Sequence, residues 1–319
     1  MNLPKIHSIS KKICVALLGG FLLIFLLFHA SANLCVLRHD DGAWYGAFCH
    51  FMGTNYIVKV FEIVLLGFIA LHICFTAWLW LTNRLARPVR YHQPGKSKTH
   101  PGSKLMMWTG ILIFSFLVMH FCQLYFVKLG WVKGEYMVKT ENLQDEEMMQ
   151  WAQLADQMEI SLDEFINQLE ERSATITDEN EDAAETEEYI ARLRSKAAVL
   201  DIVQRAYAED NITADGKWIR HLTYDDRQTL REALPDSDPE PDFYYMVRQL
   251  FQNPIMVILY LITFVVLFIH MRHAFPSAFQ TLGLNNYKYA KAIDILGQIY
   301  AWVVCLMFVA VVILVYLGL

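Results

Sequence analysis

ICVALLGGFLLIFLLFHASANL, residues Ile13–Leu34, runs 22 positions without a Lys, Arg, Asp or Glu and holds one ionisable ring, His29. An α-helix needs ~20 apolar residues to cross ~30 Å of hydrocarbon, so this stretch reads as a membrane span. Four more stretches have the same character: Tyr56–Leu81, Leu105–Val127, Pro254–His270 and Ile295–Leu319. The fold class that follows is all-α, a five-span transmembrane helix bundle. Lys11, Lys12, the apolar run and Ala30 to Ala32 also imitate a cleavable secretion signal. His29 argues for a retained span, because a discarded segment has no use for an ionisable residue deep in the membrane.

Charge is segregated along the chain. Of the 33 Asp and Glu residues, 29 lie between Trp131 and Gln249, so the expected organisation is spans 1–3 in 1–130, an acidic insert in 131–249, and spans 4–5 in 250–319. The insert reads as mostly helical. It carries capping-box patterns at Ser161 to Glu164 and Thr223 to Asp226, and Ile190, Leu193, Ala197 and Leu200 recur at helical spacing. It contains no catalytic constellation, and His221 stands alone there. It is either a solvated acidic module or a docking surface for a partner that the sequence does not name.

Outside the insert, 12 of the 15 basic residues fall on one side of the spans: Lys5, Lys11, Lys12, Arg84, Arg87, Arg90, Lys96, Lys98, Lys104, Arg272, Lys288 and Lys291. The positive-inside rule then puts the N-terminus in the cytoplasm, with the insert and the C-terminus extracytoplasmic, in the cell inner membrane. Cys14, Cys74, Cys122 and Cys305 read as small packing residues within spans. Cys35 and Cys49 share the first outer loop, which permits a disulfide without requiring one.

Four histidines lie inside the spans: His29, His72, His120 and His270. At 1.5 Å per residue, His29 and His120 sit about 24 and 22 Å from the inner boundary, where spans 1 and 3 enter. Spans 2 and 4 run the other way, which puts His72 and His270 about 24 Å from the outer boundary. The two levels lie roughly 16 Å apart along the membrane normal. Each level draws one imidazole from each of two helices, the ligand set for one b-type haem with no open position for oxygen chemistry. Zinc would want its ligands at one locus, and a proton relay would want carboxylates, of which the spans hold only Glu62 and the marginal Asp294.

Around these ligands, Gly19, Gly20, Gly67 and Gly110 either make room for a porphyrin or serve ordinary helix packing. Arg272, His273, Lys104 and Lys291 stand at the inner boundary. They either meet the propionates of the inner haem or act only as positive-inside anchors. Glu62 lies about 15 Å above His72, near the level of the outer haem. There it either accepts a quinol proton or is a helix-end acid with no proton role.

The chain resembles the two-haem, five-helix cytochrome b subunit of succinate dehydrogenases and fumarate reductases. The resemblance rests on Gly19, Gly20, His29 and Asn33; on Glu62 to His72; on Asn83, Arg87, Pro88 and Tyr91; on Met107, Trp108, Thr109, Gly110 and His120; and on Asn253, Pro254, His270, His273 and Ser277 to Gly283. It covers all five spans and about two thirds of the chain. It implies ligand histidines on the first four spans, paired as depth alone suggests. The family spacing to Gly283 makes His270 the ligand and His273 its neighbour. The resemblance also implies a flavoprotein and an iron-sulfur protein as partners on the cytoplasmic face, and quinone, menaquinone above all, as the membrane substrate. No nucleic-acid partner is expected. The chain itself has no dinucleotide fingerprint and no iron-sulfur cysteine cluster, so dicarboxylate chemistry belongs to a partner.

Three features depart from the family pattern. The insert is much longer; Ala274 and Pro276 replace a glycine and a bulky residue; and Phe268 stands where some fumarate reductases carry a proton-conducting glutamate. Two other functions compete with the leading one. They are a b-type cytochrome serving another quinone-linked dehydrogenase, and a transporter or receptor with an acidic outside domain.

Overall fold

The computed structural model describes residues 8–86, 101–143, 150, 153, 157, 161, 164, 166–168, 171, 183–213 and 215–319. Lys5, Arg87, Pro88, Arg90, Tyr91, Lys96 and Lys98 lie outside these. The chain divides into two compact units, one of Met1–Phe121 with Val247–Leu319 and the other of Cys122–Met246.

The helices are, in chain order, α1 (Ser8–Asn33), α2 (Ala43–Thr54), α3 (Tyr56–Leu85), α4 (Pro101–His120), α5 (Phe126–Lys128), α6 (Ala183–Ala208), α7 (Tyr224–Ala233), α8 (Phe243–Gln252), α9 (Pro254–Thr281) and α10 (Ala290–Tyr316). Five stretches are long and apolar enough to cross a membrane: Ile9–Leu37, Tyr56–Leu85, Leu105–Lys128, Pro254–Thr281 and Ala290–Tyr316. The chain is therefore a multi-pass membrane protein built on an all-α bundle. A π-helical turn, Phe121–Tyr125, directly follows His120 and leads into α5. Such turns insert one residue and rotate the helix face beyond them.

Two asparagines start spans. Asn55 Oδ1 accepts from the Ile57 and Val58 amides at 2.9 and 3.3 Å, and Asn253 Oδ1 accepts from Ile255 N at 2.9 Å ahead of Pro254. These caps satisfy amides that have no intrahelical partner, and proline fits the first helical position because its missing N–H is not needed there. α9 runs well past His270, where the sequence pattern places the end of its span, and continues through Pro276. Proline removes one helix hydrogen bond, but Phe275 next to it packs against Gly297 of α10. A β-carbon at Gly297 would meet the Phe275 ring at 3.1 Å, so glycine permits that approach.

In the membrane unit α3 packs on α1, α1 on α9 and α9 on α4, while α10 braces both α1 and α9. The order α3–α1–α9–α4 puts α1 and α4 two steps apart, and likewise α3 and α9. Those are the helices that carry the two histidine pairs, so each pair meets across the bundle rather than within a tight helix–helix seam.

The second unit contains a sheet that the sequence pattern does not announce. Strands β1 (Tyr136–Lys139), β2 (Trp218–Leu222) and β3 (Glu240–Pro241) lie in the order β2–β1–β3, all antiparallel. Val127, Tyr136, Val138, Val199, Ile202, Ile219, Leu222 and Leu230 form its core. Ile190, Leu193 and Ala197 pack with Ile166 in a second cluster, and Leu200 is partly buried against the first. The Thr223–Asp226 capping box is complete, and Glu164 N donates to Ser161 Oγ at 3.1 Å. The insert is thus a mixed helix and sheet module, although helix dominates its described part.

Candidate functional site

His29, at the end of α1, and His120, at the end of α4, face each other with ring centroids 6.1 Å apart and planes at 81°. An imidazole nitrogen lies about 1 Å from its ring centre, and a metal–imidazole bond is about 2 Å, as at zinc. Two imidazoles on opposite sides of one metal ion therefore place their centroids about 6 Å apart. The observed separation fits two imidazoles that would hold one metal ion between them.

The surroundings of this pair are aromatic. Phe25 stacks on His29 and Phe116 stacks on His120, each from the preceding helical turn, at centroid distances of 5.3 and 5.7 Å. Phe308 of α10 leans on His29 at 5.8 Å, and the buried Tyr260 meets His120 edge-on at 6.3 Å. The Tyr260 hydroxyl lies 3.3 Å from His120 Nδ1. On the other side, Asn33 Nδ2 donates to the His29 carbonyl at 2.8 Å and stands 3.4 Å from its Nδ1, while Tyr45 of α2 donates to Asn33 Oδ1 at 3.4 Å. The short helix α2 is thereby tied to the His29 end of the bundle.

His72 and His270 stand at the second level, each against a neighbouring helix. A β-carbon built on Gly19 would lie 3.4 Å from His72 Cε1, and one on Gly110 would lie 3.9 Å from His270 Cε1. Each ring therefore rests against a glycine of the neighbouring helix, His72 on α1 and His270 on α4. Thr109 Oγ1 lies 3.0 Å from His270 Nδ1. The ring of His72 faces the Val15 carbonyl, but its buried Nδ1 makes no hydrogen bond among the described residues. Next to Gly20 and Gly67 an added β-carbon would meet nothing within 4 Å, so space stays open beside both helices.

These contacts give the separation of the levels without reference to a membrane. Gly19 marks the His72 level on α1 and Gly110 the His270 level on α4, each ten residues before the upper histidine of its own helix. Ten residues of helix rise about 15 Å. Among the described residues, no three His, Cys, Asp or Glu side chains gather to hold a metal ion. The donor sets are two pairs of imidazoles, the His29 and His120 pair among flat aromatic rings, and they fit b-type haem.

The remaining candidates are less concentrated. Glu62 is half-buried, early in α3. Arg272 and Lys291 are exposed and His273 is half-buried; Lys104 belongs to α4, but its side chain lies outside the described residues. Phe268 packs on Trp302 with ring centroids 4.7 Å apart. Cys35 and Cys49 are not joined by a disulfide in this structure. Sequence reading assigned no role to Thr109, Tyr260, Phe25 or Phe116. The aromatic pair had a signal, since each phenylalanine stands four residues before a span histidine. No family model, curated protein or solved structure matches the chain.

Proposed function

We propose that this chain is the di-haem cytochrome b membrane anchor of a succinate dehydrogenase or fumarate reductase complex, carrying electrons between an iron-sulfur subunit and quinone, menaquinone above all. The observation that carries the reading is the 6.1 Å approach of His29 and His120 from two different spans, with the His72 and His270 rings lying against Gly19 and Gly110, ten residues before those histidines on the same two helices. In this reading His29 and His120 hold the extracytoplasmic haem b, and His72 and His270 hold the cytoplasmic one. Haem bound by two imidazoles supplies one-electron transfer.

The chain's own residues do the rest. Gly19 and Gly110 let the His72 and His270 rings lie close to neighbouring backbone. Phe25, Phe116, Phe308 and Tyr260 keep water from the His29 and His120 rings and fix their planes. Glu62 holds a carboxylate near the upper level, where a quinol proton has to go. Arg272, Lys104 and Lys291 supply positive charge at the cytoplasmic boundary and, with His273, stand where the propionates of the inner haem would lie. The distribution of Lys and Arg supports an N-terminus inside and an insert outside, and the proposed complex belongs to the cell inner membrane.

Purification in detergent tests this directly. Two protohaems per chain by the pyridine haemochromogen spectrum, copurification of a flavoprotein and an iron-sulfur protein, and succinate-to-quinone activity are expected. A correctly inserted but colourless preparation would overturn the haem reading. A coloured one that copurifies with other dehydrogenase subunits would overturn the assignment to this complex.

A further inference from the structure

Thr109 is a buried hydroxyl in the middle of a membrane helix, and its oxygen has three polar neighbours. The Leu105 and Met106 carbonyls lie at 3.1 Å each, and His270 Nδ1 lies at 3.0 Å. A threonine hydroxyl has one proton and two lone pairs. Carbonyl oxygens only accept, so the proton is shared between the two backbone carbonyls of the preceding turn, the usual bond of a threonine within a helix. If His270 Nδ1 were bare, the oxygen would face three acceptors with one proton, at a site where an unsatisfied polar contact is costly. An Nδ1 that carries a proton and donates it to Thr109 Oγ1 satisfies all three contacts at once.

We infer that Thr109 is a positioning residue for His270: it locks the imidazole in the Nδ1–H form, presents the bare Nε2 as the metal ligand, and sets the electron density of that ligand. The inference rests on the haem reading above and adds a difference between the two haems. A ligand histidine that donates its second N–H is fixed in orientation and made more basic. A more basic ligand favours ferric over ferrous iron, so the Thr109 bond holds the potential of the His72/His270 haem down. No hydroxyl bonds the Nδ1 of the other ring at that level among the described residues. Thr109 therefore acts on this haem through one of its two ligands.

The test is Thr109→Val, which keeps the shape and removes the hydroxyl, with Thr109→Ser as the conservative rescue. Redox titration followed optically and by EPR should find two haems in each protein. In Thr109→Val the midpoint of the His72/His270 haem should move upward and its ferric EPR signal should shift. The other haem should stay in place, and Thr109→Ser should restore both properties. Electron–nuclear double resonance on the wild-type protein gives a second reading that needs no variant. It should detect an exchangeable proton on His270 Nδ1, identified by selective histidine labelling. Unchanged midpoints and spectra in a two-haem Thr109→Val protein, or a wild-type His270 without that proton, would overturn the inference. Absence of haem from the wild-type protein would instead overturn the reading beneath it.

Discussion

The imidazole planes of His29 and His120 stand at 81° to each other, each held by a stacked phenylalanine one turn earlier. If these two rings hold a haem iron between them, their nearly perpendicular planes would leave the two iron orbitals that take part in π-bonding close in energy and make a low-spin ferric centre strongly anisotropic. The expected outcome is a ferric EPR signal with one very large g-value from this level. Replacing Phe25 or Phe116 by Ala removes the stack and should reduce that g-value at the same haem, with no change at the other. A rhombic signal of ordinary anisotropy in the wild type would show that the planes are not held in this way.

The pairing itself is open to test by single substitutions. His29→Ala and His120→Ala should remove or convert one and the same haem, and His72→Ala and His270→Ala the other, because one remaining imidazole cannot complete a two-ligand centre. His273→Ala should be milder, since that ring neighbours His270 without opposing it. Optical and EPR spectra of the five variants distinguish the levels. Loss of the same haem from His72→Ala and His29→Ala would break the pairing.

Glu62→Gln keeps the side-chain volume and removes the titrating oxygen. It should slow quinol or quinone turnover by about 10²-fold or more, the ordinary contribution of a positioned acid or base. Haem content and succinate oxidation by an artificial acceptor should stay unchanged. Equal quinone turnover in the two proteins would leave Glu62 as a helix-end acid.

The bundle was legible because its signals are local. Span length, the capping asparagines Asn55 and Asn253, and the Thr223–Asp226 box all depend on residues within a turn or two of each other. Even the histidine levels follow from a fixed rise per residue. Rotation about a helix axis and pairing across long loops are not local. The sheet joins Tyr136 to Leu222 and to Pro241, strands of five residues or fewer separated by long stretches of chain, so no periodicity marks it. Thr109 was legible only as part of a resemblance, because its bond to His270 depends on how α4 and α9 are turned toward each other.

Within the insert, Arg220 and Asp242 form a two-point ion pair at 2.6 and 2.8 Å, with side chains 8% and 1% exposed. Asp242 also accepts from the Tyr245 amide at 3.0 Å, which starts α8. Removing one partner of a buried pair strands the other charge and costs about 3–5 kcal/mol. Asp242→Ala should therefore speed hydrogen exchange of the β1 and β2 amides in the full chain by on the order of a hundredfold or more. Two haems should remain bound, since no ligand histidine lies in the insert. Haem loss accompanying the faster exchange would tie the two units together energetically.

The last prediction concerns acid and the sign of two opposed carboxyls. Burial pushes the Asp226 carboxyl up, but the Thr223 amide and hydroxyl and the Arg205 guanidinium outweigh it, so Asp226 sits below the ordinary carboxylate value. Glu135 is raised, first by burial and then by the negative charges of Asp242 and Asp226. A lowered carboxyl adds stability above its unfolded pKa, and that stability is lost as pH falls through the folded value. A raised carboxyl does the opposite: the folded state holds its proton longer, so its contribution declines as pH rises from the ordinary glutamate range through the raised value. Glu135→Gln should therefore stabilise the insert at neutral pH, with the gain shrinking toward zero in acid. Asp226→Asn should destabilise it at neutral pH, with the loss shrinking below the folded pKa of Asp226. Because Asp226 is one of the charges that raises Glu135, the double variant should gain less from the Gln substitution than wild type does. Thermal unfolding of the insert followed through the buried Trp218 between pH 3 and 8 reads all three, on the roughly 2–5 °C scale of a kcal/mol change in a domain this size. A Glu135→Gln protein that is less stable at neutral pH would reverse the sign assigned to Glu135.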